Sequence, residues 1–83
     1  MKKVEGITVE GEKIGLEKYA GRDNKMIVNL HILSGFESIK LSIKDTNLIK
    51  TFEDVPNRKA IKVKANVITF KDELYLVATS LVN

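Results

Sequence analysis

Lysine and arginine cluster in two stretches of this chain, and their spacing suits one kind of chemistry, the holding of phosphates. Residues 18–50 carry six basic and three acidic side chains, and residues 58–64 carry Arg58, Lys59, Lys62 and Lys64 with no acid. Residues 1–17 hold three basic and four acidic side chains, while 51–57 hold only Glu53 and Asp54. A coat serving solubility alone would mix the signs throughout; a basic face draws in phosphates by Coulomb steering and counterion release. The net charge of +3 over 83 residues is too modest to imply such a ligand by itself. Its distribution says more.

Other chemistries find little to work with. The chain has no cysteine and one histidine, so any nucleophile–base arrangement would have to run through His31. His31 sits in an alternating strand pattern, where a partly solvated histidine or one contacting a phosphate or base is expected. The five glycines form neither a Gly-Lys-Ser/Thr phosphate loop nor a G-x-G-x-x-G fingerprint, and the carboxylates lack calcium-loop spacing. Binding without catalysis, cofactor or metal is the expectation. The absence of cysteine rules out disulfides and thiolate metal sites and fits a reducing cytoplasm. No apolar run approaches the roughly 20 residues of a membrane span, and Met1-Lys2-Lys3 leads into an alternating segment rather than a signal core. A soluble, unprocessed cytoplasmic protein without a membrane partner is expected.

The elements that must position the basic residues are read from apolar periodicity. Residues 4–18 read as one long strand in which Ile7 and Val9 share one parity and Ile14 and Leu16 the other. A bulge near Gly11 would switch the inward face. After the turn cluster 19–24, Met26, Val28, Leu30 and Ile32 alternate with Lys25, Ile27, Asn29, His31 and Leu33, giving a second strand over 25–34. Ser34-Gly35 signals a hairpin into a third strand, 37–44, whose Lys40, Ser42 and Lys44 form a polar face. Asp45 or Thr46 can cap a helix over 46–54, with Leu48, Ile49, Phe52 and Val55 at helical spacing before Pro56. That helix would plug one end with Leu48 and Phe52. Strands over 59–69 and 74–82 follow, joined by the turn Lys71-Asp72-Glu73. The last strand is apolar on both parities, leaving Tyr75, Val77 and Leu81 to be covered by a second subunit; a homodimer is the simplest closed arrangement.

Three strands, a short helix and two strands in a single domain, 1–83, predict an all-β fold: a five-stranded OB-type Greek-key barrel with one helix between strands 3 and 4. In such a barrel, ligands cross the outer faces of strands 2 and 3 between the loop joining strands 1 and 2 and the loop joining strands 4 and 5. Outward parity puts Asn29, His31, Lys40, Ser42 and Lys44 there. Tyr19, Arg22 and Lys25 flank the first loop, and Phe70, Lys71 and Tyr75 the second. Lys62 is expected to add to the same positive face. Phe36, after the Ser34-Gly35 turn, either stacks a base or pins the hairpin. A cationic groove with rings on which bases stack is how single strands are held.

The chain resembles the gene V protein family, the small single-stranded DNA-binding proteins of filamentous phages. The resemblance lies in the opening Met1-Lys2-Lys3-Val4-Glu5, the overall length, and the closing Leu74-Tyr75-Leu76-Val77-Ala78-Thr79-Ser80-Leu81-Val82 after a terminal hairpin. It implies a dimeric OB barrel that coats single-stranded DNA cooperatively, as in phage DNA replication. By position, Phe70 matches the family's aromatic at the final hairpin, and Arg22 and Lys25 lie where its basic hairpin residues begin. Met26-Ile27 stands where the family tends to have Pro-Tyr, and the Ser34-Gly35 connection is tighter. The alternatives are an OB-like protein-interaction module of a phage or mobile element, using Tyr75, Val77 and Leu81, and a binder of structured RNA or oligosaccharide in the same groove.

Overall fold

Period-two alternation over most of the chain forces strands, since successive side chains of an extended backbone point to opposite faces. A computed structural model describes residues 2–82, and the side chains of all of these except Lys2, Lys3 and Phe70. Its elements are β1 (Lys2–Ala20), β2 (Met26–Ser34), β3 (Glu37–Ile43), α1 (Thr46–Glu53), β4 (Ala60–Phe70) and β5 (Glu73–Leu81). A short 3-10 turn, Arg22–Asn24, joins β1 to β2. The sheet closes in the order β1-β2-β3-β5-β4, with β4 pairing back onto β1. This is the all-β OB-type barrel that the pattern of elements predicts. Every pairing is antiparallel except β3 with β5, which is parallel and limited to Ser42↔Val77 and Ile43↔Ala78.

The core follows from the inward parities. Val28, Leu30 and Ile32 of β2 face Leu41 and Ile43 of β3 and Ile61, Val63 and Ala65 of β4, all buried. Helix α1 is too short to be stable alone. The Asp45 carboxylate accepts from the backbone N–H of Asn47 at 2.9 Å, satisfying one donor of its first turn. Phe52 is fully buried, and Leu48, Ile49 and Val55 pack against the same core. An ion pair between Lys18 and Glu53 ties the end of β1 to the helix.

Two bends differ from the sequence expectation. The inward face of β1 switches at Ile14, not near Gly11: Lys13 pairs with Ile32 and Gly15 with His31, so Ile14 is the extra residue of a bulge and stands exposed. Lys13 therefore points inward. It is only 4% exposed, and its Nζ donates to the carbonyl of Val55 at 2.5 Å, just past the end of α1. A cation there meets the negative end of the helix dipole, while its methylene stem packs as an apolar chain. The second bend is at Thr79, the extra residue between the pairs Lys64↔Ser80 and Ala65↔Ala78, with its hydroxyl donating to the Lys64 carbonyl at 3.1 Å. This bulge returns Leu81 to the inside, where it packs on the core, so only Tyr75 and Val77 of the expected apolar trio remain on the outer face.

The two hairpin turns of two residues each, β2–β3 and β4–β5, follow their residues. Gly35, at φ +63°, occupies the first central position between Ser34 and Glu37, as a two-residue loop with glycine first requires. Lys71 and Asp72, at φ +51° and +63°, form the turn between Phe70 and Glu73.

Candidate nucleic-acid interface

Register across β1, β2 and β3 arranges the outward side chains in rows. Glu17, Asn29 and Ser42 lie in one row, and Gly15, His31 and Lys40 in the next. Tyr19 and Ile27 form the row on the other side of Glu17, with Lys44 one residue beyond β3 on the same parity as Ser42. Four residues read from the sequence as one face, Asn29, His31, Lys40 and Ser42, are thus neighbours. Beside them β5 begins, and Lys40 and Ser42 line an open cleft of about 400 Å³ with Glu73, Leu74, Tyr75 and Leu76.

The flanking residues take the expected places. Tyr19, at the end of β1, is exposed, as are Arg22 in the 3-10 turn and Lys25 just before β2. Asp23 and Asn24 adopt left-handed backbone, φ +62° and +59°, a conformation these two residue types tolerate best after glycine. Lys71 is exposed in the second hairpin turn. Phe70 closes β4 opposite Glu73, and its side chain lies outside the described residues. Phe36 is wholly exposed at the tip of the β2–β3 hairpin, so it pins nothing. Lys62 stands apart. It pairs with Glu10 across β4 and β1 at 3.5 Å, and it lines a different cleft, about 680 Å³, with Glu10, Glu12, Leu33 and Ser34.

Two carboxylates on this face escaped the sequence reading. Glu17 Oε1 accepts from Asn29 Nδ2 at 3.3 Å and from His31 Nε2 at 3.1 Å, while Ser42 donates to Asn29 Oδ1 at 3.4 Å. These bonds explain how Asn29, 3% exposed, is satisfied beneath the face. The hydrogen bonds from His31 and Asn29 hold the Glu17 carboxyl below its ordinary range, so it is ionised at neutral pH. A depressed folded value means that this network favours the fold above the ordinary carboxylate range and fades as pH falls through the lowered one. Glu73 accepts from the Tyr75 hydroxyl at 2.5 Å, which raises the phenol above its ordinary value and keeps it a donor. The signal for Glu17 was its sequence distance from the first turn, since a β1–β2 hairpin centred there must set residue 17 opposite 29.

Among the described residues no group of three or more His, Cys, Asp or Glu side chains could hold a metal, and no helix is long and apolar enough to cross a membrane. No protein-family model matches the chain, and no curated protein matches it either.

Proposed function

We propose that this barrel binds single-stranded DNA without catalysis, coating it largely without regard to sequence. The observation that carries the reading is the adjacency of His31, Lys40 and Ser42 on the outer face of β2 and β3, with Asn29 buried and hydrogen-bonded beneath them instead of open to a ligand as its parity predicts. Exposed Arg22, Lys25 and Lys44 extend the cationic surface, and Lys71 marks the turn at the start of β5. Tyr19 and Tyr75 offer exposed rings for stacking. The resemblance to the gene V proteins supports the same reading.

Fluorescence anisotropy with labelled single-stranded oligonucleotides tests it. Affinity should fall steeply with salt, and Lys40→Ala or Lys44→Ala should each flatten the log–log salt slope by about 0.7, the increment for one phosphate on a single strand. Lys62→Ala, on the Glu10 side, should leave the slope unchanged. Tyr19→Ala should weaken binding by roughly 1–3 kcal/mol at constant slope if a base stacks there. Binding that ignores salt, or no binding at low ionic strength, refutes the reading.

Self-association belongs to the same proposal. Val4 and Leu74 share a parity and expose apolar surface where β1, β4 and β5 run together, Leu74 being 72% exposed. A second copy would cover it. Sedimentation velocity should show a dimer whose population rises with concentration; a monomer at every concentration removes this part. The same surface supports the second reading, a protein-interaction module, which predicts a contact insensitive to salt.

A further inference from the structure

We propose that Glu17 reads a base, accepting hydrogen bonds from the Watson–Crick edge of guanine, and so adds a base preference to an otherwise sequence-blind surface. The inference rests on the single-strand reading of this face. Glu17 lies in the middle of three rows, with Tyr19 in the row on one side and His31 and Lys40 in the row on the other. A phosphate cannot settle on an ionised carboxylate, so a strand passing from Lys40 to Tyr19 has to present something else at that point. A base edge rich in N–H donors is the part of a nucleotide that suits it.

The geometry is set before any ligand arrives. Oε1 of Glu17 is occupied by Asn29 and His31, and Asn29 is held in turn by Ser42. Among the described residues Oε2 takes no hydrogen bond, and the side chain is half exposed. One oxygen therefore anchors the carboxylate while the other faces a ligand. Guanine offers two adjacent donors, N1–H and the N2 amino group. Adenine and cytosine offer one amino group beside a ring-nitrogen acceptor that repels the carboxylate. Thymine offers one N–H between two carbonyl oxygens. The expected order is guanine first and thymine last, with Tyr19, two residues along the same face of β1, positioned to stack the base.

The test uses four oligonucleotides of equal length: alternating dT/dG, alternating dT/dI, alternating dT/dA, and all dT. Inosine keeps N1–H and lacks the N2 amino group. In anisotropy titrations at one salt concentration the dT/dG strand should bind about tenfold tighter than all dT, within the discrimination a good paired contact provides, with dT/dI between. Glu17→Gln, confirmed as folded by its melting curve, should bring dT/dG and all dT to within about twofold and should tighten binding to all dT, since the repulsion of phosphates is gone. Glu17→Ala should do the same. Equal binding of all four strands by the parent, or a guanine preference that survives both substitutions, overturns the proposal while leaving the single-strand reading intact. Failure to bind any of the four overturns that reading, and this proposal with it.

Discussion

Phe52→Ala should be the most destabilising single truncation in the chain, costing about 3–5 kcal/mol as a large buried aromatic is removed. The ring is fully buried, and it is the one fully buried side chain with which an eight-residue helix joins the core, Leu48 and Ile49 being only partly buried. A domain of this size has on the order of 4–12 kcal/mol of total stability, so the variant should be partly unfolded or melt far below the parent. Loss should extend beyond the helix, because Leu30, Leu41 and Val63 share the same core cluster. Chemical denaturation followed by far-ultraviolet circular dichroism measures it. A variant whose midpoint matches the parent would show that α1 is an appendage and not a plug.

Gly11→Ala should come next, at roughly 3 kcal/mol, the upper part of the range for overpacking. A Cβ there would overlap the carbonyl oxygen of Leu33 and stand 2.6 Å from Cγ2 of Ile32. A side chain can turn away, but the backbone carbonyl belongs to the β1–β2 crossing and cannot. Gly15→Ala is the matched control, since its Cβ would meet only Asn57 Oδ1, at 4.0 Å. The two variants should differ in melting temperature by more than 10 °C, given about 4–8 °C per kcal/mol for a domain of this size. Equal melting temperatures would mean that β1 and β2 can separate at this point without cost.

These two residues also show what was legible in the sequence. Phe52 announced itself by helical spacing, and the strands of the barrel by strict alternation, as in Val28, Leu30 and Ile32 against Asn29 and His31. Gly11 is a glycine for close approach to the Leu33 carbonyl, not for a bulge. The parity switch belongs to Ile14, because Lys13 does not face water: its stem is long enough to bury while its ammonium finds the Val55 carbonyl. Leu81 misled in the same way, because nothing about threonine at position 79 marks a bulge. At the face, strand parity alone makes Asn29, His31, Lys40 and Ser42 neighbours, as the register has them, but parity does not tell that Asn29 is buried. The Glu17 network required register, which joins residues 12 and 14 apart in sequence. Lys62 was grouped with the others by charge alone, and charge carries no information about which face a residue occupies.

The parallel contact between β3 and β5 has a further consequence. With only two register pairs joining them, most of residues 37–41 and 73–76 border a gap instead of a neighbouring strand. The barrel is closed in topology but works mechanically as a curled sheet with a short seam. Backbone amides that face the gap should exchange their hydrogens with solvent without global unfolding, while those of residues 29–33 of β2, paired on both sides, should exchange only as slowly as the whole domain opens. The seam runs along the proposed binding cleft, so a ligand bridging Lys40 to the start of β5 would act as a clasp, and its binding would register as slowed exchange on both banks.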